Sequence, residues 1–269
     1  MQVASTKTLY TSLGSLMSPR FILIETSHAG NVGAAARAIK VMGFGDLVLV
    51  RPRWDNVLRR EETIQRSSGA HDVLAACRIV DTVEEALDGI THLCATAMTP
   101  RDFGPPTYAP REYFADLAAR LQTEPEAGHK LGVLFGSERF GMKNEDVYRC
   151  HACLQIPTDP QFGSLNLASA IQLIAYEWRI AMGGFLHKST EKSASNAIEN
   201  TASAIALADM QSIAAALAHW QEALVAIDYL DPASPKKLLP RLQQMLNRTE
   251  LRNEEIHILR GVAKKVLRT

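Results

Sequence analysis

Apolar positions along this chain follow two alternating patterns. Residues 21–25, 46–50, 90–96, 131–135 and 153–156 are short, nearly continuous apolar runs, as expected of strands covered on both faces. Between them lie stretches with helical spacing. Over 31–42, Val32, Ala36, Ile39 and Gly43 fall on one face and Arg37 and Lys40 on another. Asn31 suits the N-cap of this helix and Gly43 its end. Shorter helices are expected around 61–76, 83–87, 110–121 and 144–150. A second long helix is expected over 164–182, with Ser164 as cap, Leu167, Ile171, Ile174 and Trp178 as its stripe, and Gly183-Gly184 as its stop. Strands alternating with helices predict an α/β fold with a mostly parallel sheet. Periodicity alone points to an unknotted, doubly wound arrangement.

The pattern changes towards both ends. Residues 1–18 are polar and aperiodic and read as a loose leader. The α/β unit then spans 19–185. Residues 186–206 are rich in Ser, Thr and Asn and read as a linker. Beyond them Met210, Ile213, Leu217, Trp220, Leu224 and Ile227 recur at alternating spacings of three and four, a heptad-like seam on one helix. Asp231-Pro232 and Ser234-Pro235 break it, and one or two basic helices follow. Residues 207–269 therefore form a helical extension.

Composition narrows the class. Of 269 residues, 46% are hydrophobic and 22% charged, the balance of an ordinary globular chain. No run is long and apolar enough for a membrane span, and the first twenty residues lack the layout of a secretory signal. Four cysteines make no disulfide framework, so a reducing, cytoplasmic setting is expected. Net charge is zero, but it is uneven. Residues 231–269 hold nine Lys or Arg against four Asp or Glu, and a second basic group is Arg51, Arg53, Arg59, Arg60 and Arg66. Local patches of this kind can bind phosphates on a neutral molecule, or can simply be solvated faces. Aromatic residues make up only 6%, which favours recognition of a polymer by phosphate contacts and shape over stacking.

Three short motifs each follow a strand-like run: Asn31-Val-Gly33-Ala-Ala-Ala-Arg37, Phe135-Gly136-Ser-Glu138-Arg-Phe-Gly141 and Ser164-Leu-Asn166-Leu-Ala168. Each alone could be a capped helix or a plain turn. Together they put small residues and polar side chains at the carboxyl edge of a parallel sheet, where ligands bind. Gly136 and Gly163 would let the backbone approach a nucleoside. Ile156 and Leu165 offer apolar walls, and Thr96-Ala97-Met98 further backbone donors and acceptors. No Gly-x-Gly-x-x-Gly follows a strand and no phosphate-loop lysine motif occurs, against an oxidoreductase or a nucleoside-triphosphate site. The pair Cys150-His151-Ala152-Cys153 lacks a second pair at matching spacing, so no metal is expected.

In this order the motifs resemble the signatures of the SpoU branch of the SPOUT RNA ribose 2′-O-methyltransferases. The text flanking them, from Glu25-Thr26-Ser27-His28 to Glu255-Ile256-His257-Ile258-Leu259-Arg260-Gly261, resembles the TrmJ type. The resemblance implies a parallel sheet whose C-terminal part threads a deep trefoil knot, S-adenosylmethionine as cofactor, and a homodimer with the active site at the subunit interface. It implies methylation of cytidine or uridine 32 in the tRNA anticodon loop. A ribosomal RNA target, or a non-catalytic RNA-binding protein on the same fold, are the rival readings. Carried over by motif, the catalytic group would be Arg37, Asn31, Glu138, Ser164 and Asn166. The cofactor would touch Thr96, Ala97, Met98, Gly136, Ile156, Gly163, Ser164 and Leu165.

Overall fold

The structure, a computed structural model, describes residues 18–97, 102–123, 129–185, 207–234, 237–249 and 251–268. Among these residues seven strands form one parallel sheet: β1 (Arg20–Ile24), β2 (Asp46–Val50), β3 (Arg78–Val80), β4 (His92–Thr96), β5 (Thr107–Tyr108), β6 (Leu131–Phe135) and β7 (Ala152–Leu154). Their spatial order is β3-β2-β1-β6-β4-β7-β5. The predicted α/β class holds. The two shortest outer strands, β3 and β5, escape the sequence reading because two or three residues carry no periodicity.

Side chains alternate across the sheet and divide its core in two. Phe21, Leu23, Leu47, Leu49, Val133 and Phe135 point to one face. There they meet α1 (Ala29–Val41), α5 (Pro110–Thr123) and α7 (Leu167–Ala181). Ile22, Ile24, Val48, Val50, Leu93 and Leu134 point to the other. Strands apolar at every position are needed because both faces are covered. At the amino end of β1, buried Arg20 joins Asp46 at 3.0 Å and donates to the carbonyls of Ala86 and Asp88 at 2.9 and 2.7 Å.

The second face is closed by α4 (Val83–Ala86), α6 (Asn144–Tyr148) and the C-terminal helices α8 (Met210–Ala226), α9 (Leu238–Arg248) and α10 (Asn253–Val266). Met210, Ile213 and Ala216 of α8 share the core with Leu246 of α9 and Ile256 of α10. The Met210 amide donates to the Ile90 carbonyl at 2.7 Å, and the buried Asn247 amide donates to the carbonyls of Arg149 and Cys150 at 2.8 and 3.0 Å. The C-terminal helices are thus docked on the sheet. The heptad-like seam holds up to its last position: Met210 and Ile213 are buried, Leu217 packs against the same core, the Trp220 indole N–H donates to the Leu259 carbonyl at 3.0 Å, and Ile227 is exposed. A straight helix drifts away from a strict seven-residue repeat, which moves the last seam position out of the contact.

The stretch expected as one helix over 61–76 is two, α2 (Glu61–Ser67) and α3 (His71–Ala76). Ser68, at φ +51°, breaks it. The 1–17 part of the leader, Met98 and the 186–206 linker lie outside the described residues.

Candidate active site

The carboxyl ends of β1, β4, β6 and β7 converge near the centre of the sheet, where the strand order changes direction. Each of the three motifs emerges there. After β6 the chain folds back on itself: Ser137 and Gly141 exchange backbone hydrogen bonds at 3.0 and 2.9 Å. A side chain at Gly136 would place its Cβ only 2.4 Å from the Gly141 carbonyl carbon. This glycine therefore admits the chain's own turn, a different reason from the ligand approach expected of it. Gly33 of α1 is similar, since a Cβ there would meet the Thr63 carbonyl oxygen of α2 at 2.0 Å.

That turn aims Glu138 at the end of β1. One carboxylate oxygen accepts from Thr26 Oγ1 at 2.9 Å and Asn31 Nδ2 at 2.8 Å. The other accepts from the Ser27 amide at 2.8 Å and Ser27 Oγ at 2.9 Å. Burial alone would raise this carboxyl group, but the donors Asn31 and Ser27 outweigh it and hold the pKa down at about 2. The relay continues. Asn166 Nδ2 donates to Asn31 Oδ1 at 3.0 Å, and Asn166 Oδ1 accepts from the Ala168 amide at 2.9 Å. Because a backbone N–H can only donate, the sense of every bond from α7 to Glu138 is determined.

Two cap expectations change accordingly. Helix α1 starts at Ala29 with His28 at its N-cap, so Asn31 lies in the first turn and directs its amide to Glu138 and Asn166. Helix α7 starts at Leu167 and its cap is Asn166, two residues beyond the Ser164 expected in that role. Its stripe of Leu167, Ile171, Ile174 and Trp178 is buried as the spacing predicts.

A cavity of about 610 Å³ opens beside this relay, lined by His28, Asn31, Thr96, Gly136, Glu138, Ser164 and Asn166 among others. A narrower pocket of about 130 Å³ shares Thr96, Ala97, Leu165 and Ala170 with it and adds Ile156, Thr158 and Gly163. Every described residue expected at the site is therefore in one of these two spaces, with one exception. Arg37 is exposed and lines a separate open groove between α1 and α7 with Arg66, Val41, Gln172 and Leu173. Thr96 and Ala97 line the pocket, but the Thr96 hydroxyl donates to the Leu134 carbonyl at 3.0 Å and the Ala97 amide to Leu154 at 3.2 Å, so neither donor is free. Thr26 and Ser27 supply three of the four bonds to Glu138, and in the sequence they only flank the first motif. A hydroxyl pair just past a strand was their only signal. Among the described residues no cluster of three or more His, Cys, Asp or Glu could hold a metal ion.

Residues 18–176 match the model of the SpoU rRNA methylase family, and residues 211–269 that of the C-terminal domain of the tRNA methyltransferase TrmJ. The chain is 39% identical over 245 residues to the tRNA (cytidine/uridine/adenosine-2′-O-)-methyltransferase TrmJ of Pseudomonas aeruginosa, covering 90% of this chain and 91% of that one. It is 34% identical to the tRNA (cytidine/uridine-2′-O-)-methyltransferase TrmJ of Klebsiella pneumoniae, over 93% and 97% of the two chains. The crystal structure of TrmJ from Z. mobilis superposes with a TM-score of 0.72 at 29% identity, over 92% of this chain and 98% of that one. With residues 18–176 and 211–269 matched by these two family models and a relative 39% identical over nine-tenths of both chains, the chain belongs to the SpoU methylase family, in its TrmJ branch.

Proposed function

We propose that this chain transfers a methyl group from S-adenosylmethionine to a ribose 2′-hydroxyl of tRNA, at cytidine or uridine 32 of the anticodon loop, and that it acts as a homodimer with the active site at the subunit interface. One observation carries the reading. Side chains from three motifs, the first more than a hundred residues before the other two, are tied by hydrogen bonds at the rim of a single cavity at the sheet's carboxyl edge. The trefoil thread belongs to the same proposal: after β7 the chain returns through residues 155–166 and packs α7 against both α1 and α5. The proposal includes a cytoplasmic setting, where tRNA is met.

The residues fit the cofactor. Ile156, Leu165 and Ala97 offer apolar walls for an adenine ring, with Gln155 and Thr158 at its polar edge. The larger cavity is within the size range of small-molecule sites. Ionised Glu138 leaves negative charge at the rim, which favours a cationic ligand. When bound, S-adenosylmethionine supplies a methyl group on a sulfonium leaving group.

The chain's part is to orient the hydroxyl and handle its proton. Asn31 and Asn166, locked by the relay, present fixed dipoles at the rim. Arg37 is a guanidinium with donors and no acceptor lone pair, and it is solvent-exposed rather than wrapped in apolar surroundings. An electrostatic role suits it: stabilising the developing alkoxide while a phosphate oxygen or water takes the proton. Its groove is separate from its own cavity, so Arg37 would act at the cavity of the second subunit.

The test is to methylate total RNA with the purified protein and labelled S-adenosylmethionine, then locate the modified ribose by its resistance to alkaline cleavage. Label at nucleotide 32 of tRNA is expected. Label confined to ribosomal RNA would move the substrate, and no transfer to any RNA would leave the rival binding-protein reading.

A further inference from the structure

Five arginines lie between residues 51 and 66; Arg59 is exposed, and the structure separates the roles of the other four. Arg51 is paired with Glu25 at 3.0 Å and donates to the Asp81 carbonyl at 2.7 Å. Arg66 lines the groove beside Arg37. Arg53 and Arg60 converge on Trp54: their guanidinium carbons stand 4.6 and 4.5 Å from its ring centroid. Neither has an ion pair or side-chain hydrogen bond among the described residues, although Asp55, Glu61 and Glu62 are nearby in sequence. Trp54 is half-buried and packs on the core, so the platform is anchored.

Stacking on an aromatic ring engages the flat face of a guanidinium and leaves its N–H edge free. Two like charges on one ring repel each other, and no carboxylate answers them here. A bridging anion removes that repulsion and takes up the free donors. The platform also touches the active-site relay. The Arg53 amide donates to the Thr26 carbonyl at 3.1 Å, and the Thr26 hydroxyl donates to Glu138.

We propose that Arg53 and Arg60, held on Trp54, form a phosphate subsite that receives the RNA backbone near the target nucleotide. The proposal rests on the RNA-substrate reading and adds the residues that grip the polymer. The preset forks orient the phosphodiester, and Trp54 acts as a positioning residue through them.

The test uses the full-length chain and unmodified tRNA, with binding measured from about 50 to 200 mM salt. Replacing both arginines (Arg53→Gln with Arg60→Gln) removes the grip on one bridged phosphate, so the slope of log affinity against log salt flattens by about 0.7 to 0.9. KM for tRNA rises about tenfold while binding of S-adenosylmethionine and kcat at saturating tRNA stay near wild type. Trp54→Leu, with both arginines present, shows part of the KM increase. Arg78→Gln, an exposed arginine on β3, leaves slope and KM unchanged. An active double variant with the wild-type slope and KM overturns the subsite and leaves the methyltransferase reading standing. A wild-type chain whose tRNA binding shows the predicted loss in the double variant, yet which transfers no methyl group, keeps the subsite and removes that reading.

Discussion

Two faces of helix α1 make contrasting uses of the same element. Asn31 is buried, and its amide is bound on both sides, to Glu138 and to Asn166. Arg37 lies six residues on, about 120° around the axis. Its side chain is exposed, with no hydrogen bond or ion pair among the described residues. The first face is complete within one chain: every polar group is answered and its geometry preset. The second is charged, open and unanswered. A side chain needed for chemistry is left in solvent when its partner groups come from elsewhere, and here the proposed source is a second subunit. The contrast separates residues that build the cavity from the one proposed to enter another.

The sharpest way to break this contrast is Arg37→Ala. Methyl transfer should fall about 10²- to 10³-fold, the usual loss of one charge-stabilising donor, while thermal stability and S-adenosylmethionine binding stay unchanged. Single-turnover kinetics and calorimetry check both halves. Activity within a few-fold of wild type would remove Arg37 from the reaction. Arg37→Lys sharpens the point, since near-full activity there would exclude a need for guanidinium geometry.

On the complete face the main effect should be on stability. Gly136→Ala drives a methyl group into the Gly141 backbone and should destabilise the fold by about 2–3 kcal/mol, read from urea unfolding. Glu138→Gln replaces acceptors with an amide that cannot serve all of Thr26, Ser27 and Asn31. A loss of about 1–3 kcal/mol is expected at neutral pH, with reduced activity.

The same pair of proteins gives a smaller, signed effect with pH. The Glu138 carboxyl is held down from 4.5 to about 2 in the folded chain, so its stabilisation is present above pH 4.5 and disappears as pH falls towards 2. The stability gap between wild type and Glu138→Gln should therefore narrow across that range. A gap constant with pH would mean that the ionised form is not what the relay holds.

Much of this was legible in the residues. The stripes of α1 and α7 follow from spacing because both helices bury one face against a sheet that leaves no room for polar side chains. The three motifs mark the right edge of that sheet. What spacing could not reveal is which polar side chains meet. Asn31 reads as a cap because Asn caps helices. It is drawn instead to a carboxylate 107 positions later, brought close only by the β1–β6 pairing. Thr26 and Ser27 are hidden for the same reason. Gly136 has its place read correctly and its cause wrongly, because the crowding neighbour is the following turn.

Subunit mixing tests the shared site most directly. Arg37→Ala and Asn166→Ala homodimers, each inactive alone, are combined under exchange conditions and assayed for methyl transfer. If Arg37 serves the partner's cavity, mixed dimers each regain one intact site, and activity recovers to about a quarter of the wild-type level. No recovery, with heterodimers shown to have formed, would mean that the guanidinium and the cavity of one chain work together and would contradict the division between the two faces of α1.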